Sequence, residues 1–208
     1  MLQGGVRTAA LASLAAGALI LVGIGQASAQ EARPVNLRGQ IQAVDGNTLT
    51  VRERSGQTIK LVMNEKSGFS TLVKASLADI KPGTYVGTAA EPLPDGKLKA
   101  QEVLIFAPGQ RPGEGHRPHD LTPRSTMTNA DVGGVVTMAM GAELKLKYKD
   151  GEKTVVVAPD TPIVAFTQPD KSLLKAGSHF MGVGQKQANG SYTVVRISVG
   201  KDGLVPPM

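Results

Sequence analysis

The sequence predicts an all-β fold, and three observations carry that prediction. Short runs of alternating apolar and polar residues recur along the chain. Glycine-containing turns separate them. The whole pattern then repeats once, at a spacing of about 95 residues.

Residues 38–44, 47–54 and 57–63 alternate and are separated by Asp45-Gly46 and Ser55-Gly56, both suited to hairpin turns. Residues 64–75 carry no clear pattern. A helix of one to two turns is expected next. Ser76 and Asp79 stand at capping-box spacing, and Pro82-Gly83 stops it. Two more strands, 84–90 and 97–106, join around Pro94-Asp95-Gly96. Three strands, a short helix and two strands is the order of a small OB-like five-stranded barrel. A two-sheet sandwich fits the same strands.

The second half repeats this order. "RGQIQAVDGNTLTVRERSGQTIKLV" (38–62) lies on "GGVVTMAMGAELKLKYKDGEKTVVV" (133–157), bringing Gly39 onto Gly134, Gly46 onto Gly141 and Gly56 onto Gly151. After a one-residue slip, "SLADIKPGTYV" (76–86) lies on "DKSLLKAGSHF" (170–180), and "DGKLKAQEVLI" (95–105) on "NGSYTVVRISV" (189–199). Asp170 and Gly177 take the cap and stop positions. Between the copies, residues 107–129 are dense in Pro, Gly and polar residues, and read as an extended linker. The expected organisation is a signal peptide (1–29), a first barrel (30–106), this linker, a second barrel (130–200) and a tail (201–208). On that scheme residues 30–110 fold alone.

The first residues bear on compartment. Arg7 precedes an apolar stretch, Ala9 to Ile24, and the small run Ala27-Ser28-Ala29 follows. This is the pattern of an export signal cut after Ala29. A retained anchor is the alternative. The stretch is at or below the roughly 18 to 20 residues of a spanning helix, and Gly17 and Gly23 interrupt it. The expected location is periplasmic or secreted. With no cysteine, disulfides, thiolate chemistry and lipid attachment at a cysteine are excluded. The formal charge of +6 is modest, and aromatic residues at 3% with no Trp offer few stacking platforms. Both features argue against nucleic-acid binding.

The segments "VNLRGQIQAVDGNTLTVRERSGQTIKL", "LADIKPGTYVG" and "PDGKLKAQEVLI" resemble a bacterial domain-of-unknown-function family of exported, often tandem, small β-barrel domains. The resemblance implies the fold and says little of chemistry. Some chains of this type are labelled metal transporter permeases. A permease needs several spanning helices, and no apolar run of that length follows residue 30.

Two candidate sites stand out. In "HRPHD", His116, His119 and Asp120 bring imidazole and carboxylate ligands suited to a divalent metal such as Zn, Ni or Cu. Met127, Met138 and Met140 add soft ligands for Cu(I). The competing reading is a polar linker, since a third firm ligand is missing and Pro118 separates the histidines. In "ELKLKYKD", Lys145, Lys147 and Lys149 alternate with Leu144, Leu146 and Tyr148, which puts three cations on one strand face. Arg52 and Arg54 hold the matching face of the first copy. Such a stripe suits a cell-envelope polyanion; a merely solvated face is the alternative. His179 at the start of a strand reads as a packing residue, and no catalytic triad, phosphate loop or paired carboxylates can be placed. The expectation is an exported, non-enzymatic binding or scaffold protein without an obligatory cofactor, its partner an envelope polyanion or protein. The alternative is a periplasmic metal-handling accessory that uses the linker histidines.

Overall fold

A computed structural model describes residues 33–207; the expected export signal lies outside the described residues. The strands are β1 (Val35–Asp45), β2 (Thr48–Glu53), β3 (Thr58–Val62), β4 (Gly68–Lys74), β5 (Tyr85–Pro92) and β6 (Leu98–Ile105). They continue with β7 (Gly115–Pro118), β8 (Thr126–Thr137), β9 (Ala142–Tyr148), β10 (Gly151–Val157), β11 (Ile163–Thr167), β12 (His179–Lys186) and β13 (Tyr192–Gly200). The all-β expectation holds.

The expected short helices are 3-10 turns rather than α-helix. Each is a single 3-10 turn, at Leu77–Asp79 and Lys171–Leu173. The capping chemistry is nonetheless in place. The Asp79 carboxylate accepts the Ser76 backbone N–H at 2.8 Å, and Asp170 accepts that of Ser172 at 3.1 Å. In the first turn, Pro82 disfavours helical backbone at Lys81, so there is no room for a second turn.

Strand pairing closes two five-stranded rings, and each draws on both halves of the chain. In the first ring β1, β2 and β3 pair antiparallel in sequence, β3 runs parallel to β13, β13 pairs β12, and β12 returns to β1. In the second ring β8, β9 and β10 pair in sequence, β10 runs parallel to β6, β6 pairs β5, and β5 returns to β8. The expectation that residues 30–106 and 130–200 each close their own barrel is therefore corrected. The last two strands of each segment pair in the other ring, and the described residues form one compact unit.

The stretch without a readable pattern supplies the joint. β4 lies parallel to β13 and antiparallel to β11, and β11 lies parallel to β6. Leu72 and Phe166 face each other across this joint. The alternation of β4 is muted because both of its faces meet protein, the ordinary signature of an interior strand.

Each ring has its own apolar interior. Ile41, Leu49, Val51, Leu61, Phe180 and Ile197 fill the first; Val86, Val103, Val132, Leu144, Leu146 and Val155 fill the second. A third cluster of Leu72, Ala89, Leu104, Met127 and Val164 forms around the joint. Burying each large aliphatic side chain is worth ~1.5–3 kcal/mol, so a segment deprived of its exchanged strands loses most of its stabilisation. Close approach also fixes Gly39: a Cβ there would lie 2.1 Å from the Arg52 carbonyl oxygen of the neighbouring strand.

The exchange makes a direct prediction. A fragment of residues 33–106 contains β1–β3 without β12 and β13, and β5–β6 without β8–β10. Expressed alone it should not give a monomeric barrel by circular dichroism and size-exclusion chromatography. Mixed with residues 107–208 it should form a 1:1 complex. A stably folded monomeric fragment would refute the exchanged pairing.

Candidate binding cleft between the two rings

The segment read as a linker is built into the structure. Within residues 107–129, β7 pairs β8, and β8 itself begins at Thr126. Arg111 holds the segment by a two-pronged ion pair with Asp131, one prong at 2.6 Å, and its guanidinium lies 4.5 Å from the centre of the Tyr85 ring. The Pro112 carbonyl accepts from the Asn129 amide at 2.9 Å, and Glu114 accepts the Lys149 backbone N–H at 2.9 Å. At the far end Asp120 accepts from Arg38 at 2.7 Å and from Asn36 at 2.9 Å. The segment is a strap tied to both rings.

Under the strap lies a cleft of about 880 Å³, within the range of small-molecule sites. Arg38, Met181, Val183, Arg196 and Ser198 line it from the first ring, and Leu104, Met127 and Asn129 from the second. Ser70 and Phe166 come from the joint; Phe106, Arg117, His119 and Asp120 come from β6's end and the strap. Phe106 sits between Tyr85 and Phe166, with ring centres 5.5 Å from each. Gly87 makes room for this packing. A Cβ there would come within 2.8 Å of Asn129 Oδ1 and 3.2 Å of Phe106.

The cleft is electropositive. Hydrogen bonding to Arg38 holds the Asp120 carboxyl down at about 2, so this pair is internally compensated. Burial lowers the His119 pKa below its ordinary 6.5, which keeps the ring neutral at pH 7, and its Nε2 has no partner among the described residues. Arg117 donates to the Gly113 carbonyl at 2.7 Å. Arg196 has no ion pair or hydrogen bond from its side chain among the described residues.

Two β-bulges aim side chains at the space between the rings. On β6, Glu102 pairs Ala89 and Ala100 pairs Ala90, leaving Gln101 as the extra residue. On β13, Arg196 pairs Val183 and Val194 pairs Gly184, leaving Val195 as the extra residue. Each bulge re-aims the residue that follows it. Arg196 lines the cleft, whereas Glu102 is fully buried, with neither carboxylate oxygen partnered among the described residues. Burial drives the Glu102 pKa up to about 8, against a smaller opposing pull from Arg38 and Arg54.

The sequence-predicted sites fare differently. His116 and His119 do not form a shared metal site. Three residues of extended chain put them on opposite faces, with His116 Nδ1 2.8 Å from Thr128 Oγ1 and His119 at the cleft. Asp120 is engaged by Arg38. No group of three His, Asp or Glu suited to a metal occurs among the described residues. Met127 lies near the start of β8 and Met138 just beyond its end, and Met140 is exposed.

Lys145, Lys147 and Lys149 are exposed while Leu144 and Leu146 point into the second ring, the facing that the alternation predicts. Lys147 stands opposite Glu152 and Asp131. Arg52 and Arg54 are exposed on the other ring and line a smaller cavity of about 260 Å³ with Gln40, His179 and Val205. The two basic patches thus belong to different rings. The sequence reading missed Arg38, Arg117, Arg196, Phe106 and Phe166. One signal was available: the repeat alignment places Glu102 and Arg196 at equivalent positions, opposite charges each followed by an apolar residue, Val103 and Ile197.

No protein-family model matches the chain, and neither a curated protein nor a solved structure matches it.

Glu102 yields a pH prediction. Its folded pKa lies above the ordinary 4.5, so its contribution to stability is fully present below about pH 4.5 and is lost as pH rises through about 8. The wild type should lose up to about 4 kcal/mol of unfolding free energy from this group between pH 5 and pH 8, at ~1.4 kcal/mol per pH unit while the unfolded chain is ionised there and the folded one is not. Glu102→Gln should flatten that slope in urea titrations. An unchanged slope in the variant would show that Glu102 ionises in the folded protein at its ordinary pKa.

Proposed function

We propose that this chain is an exported, non-enzymatic binding protein, a tandem duplication of an OB-like barrel whose last two strands are exchanged between the copies, and that its ligand occupies the cleft beneath the strap. Support for the duplication is the recurrence of the element order, with matching bulges at Gln101 and Val195. The observation that carries the function is the cleft itself: about 880 Å³ with apolar walls and guanidinium groups from the rings and the strap. A concave, mostly apolar site with a few polar anchors is the usual form of a small-molecule site. Export, and a periplasmic or extracellular location, rest on the N-terminal pattern alone.

A neutral dye whose emission shifts with the polarity around it reports on such a site. Nile red should bind the mature chain at one site with a blue-shifted emission. Val183→Trp, which adds bulk to the cleft wall, should weaken binding at least tenfold while leaving the melting temperature within a few degrees. Equal dye binding by wild type and a folded Val183→Trp variant would refute the cleft as the site.

A further inference from the structure

We propose that the cleft selects an amphiphile with a single acidic head group, the head held by Arg196 and Arg117 and the apolar body lying along Phe106, Phe166, Met127 and Met181. This rests on the cleft being the ligand site and adds the class of ligand.

The argument begins with charge. Three guanidinium groups line the cleft against one carboxylate. Arg38 and Asp120 cancel each other at 2.7 Å, and His119 stays neutral at pH 7 because burial disfavours its charged form. Arg117 spends one donor on the Gly113 carbonyl and keeps the others. Arg196 is unpaired among the described residues, so two positive charges remain uncompensated. A forked guanidinium matches a carboxylate or phosphate, which can accept two parallel N–H donors. A cation finds no free carboxylate here, since Asp120 is taken.

The remaining wall sets the rest of the ligand. Phe106 and Phe166 pack together at 5.5 Å, and Leu104, Met127 and Met181 complete an apolar surface. Methionine thioethers adapt to irregular apolar shapes, which suits a flexible chain more than a rigid ring system. A free oxyanion would leave this surface wet, and a neutral chain would leave both arginines without a partner. An acidic head on an apolar chain satisfies both halves of the cleft.

Calorimetry on the mature chain, below micelle-forming concentrations, tests this with five probes: dodecanoate, dodecyl phosphate, dodecanol, dodecyltrimethylammonium and inorganic phosphate. Both anionic chains should bind at least tenfold more tightly than dodecanol, and the cationic chain and inorganic phosphate more weakly still. Arg196→Gln should reduce affinity for both anionic chains about tenfold and leave dodecanol unchanged, with Arg117→Gln as a second variant should the first fail to fold. If only one anionic chain binds, the head group is assigned to that chemistry and the acidic class stands. Dodecanol binding as tightly as dodecanoate, or inorganic phosphate as tightly as dodecyl phosphate, overturns the class. If no chain binds while Nile red still does, the class fails and the cleft reading survives. If Nile red also fails, the cleft reading falls with it.

Discussion

Two short parallel pairings, Leu61–Val62 against Tyr192–Thr193 and Leu98–Lys99 against Val155–Val156, turn open sheets into closed rings. The rest of the structure depends on them. A five-stranded sheet has two edges with unpaired backbone groups, and closure removes both. Because each closing pair joins residues from opposite halves of the chain, neither half can satisfy its own backbone. The joint of β4 and β11 follows from the same exchange: the chain crosses from one ring to the other in these strands, and they pair where they cross.

The cleft arises where the likeness between the halves breaks down. The bulges at Gln101 and Val195 aim Glu102 and Arg196 at the space between the rings in matching ways. One lies buried and uncharged at neutral pH, and the other faces an open cavity. The difference lies in what covers each position. The strap that follows β6 contributes Arg117, His119 and Asp120 to the cleft, whereas the described residues after β13 turn back at Lys201–Leu204. The cleft between the two rings is thereby apolar along Phe106 and Phe166 and basic at Arg196.

Much of the local structure was legible in the sequence. Period-two alternation put Leu144 and Leu146 inside and Lys145 and Lys147 outside, and the cap residues Ser76 and Asp170 marked the two short turns. Partner choice was not legible. β3 carries the same alternation whether it pairs with β6 of its own segment or β13 of the other, because side-chain period fixes facing and not the identity of a parallel neighbour. Pro and Gly density suggested a free linker, yet a strap fastened by Arg111, Glu114 and Asp120 has the same composition. Arg38 and Arg196 lie in no motif, and Arg117 lies inside "HRPHD", where the histidines and the aspartate carried the reading.

The pairing of β1 with β12 joins Val35 to Gly184 and Gln40 to His179. Contacts of such separation give the chain a high contact order, and folding slows as loop-closure entropy accumulates before non-local contacts form. The first three strands leave the ribosome long before the strands that complete their ring. Until β12 and β13 arrive, β1 keeps an open edge that other chains can join. Synthesis is therefore the stage at which this protein is most exposed to aggregation. Once both rings are shut, the joint of β4 and β11 ties one to the other through β13 and β6.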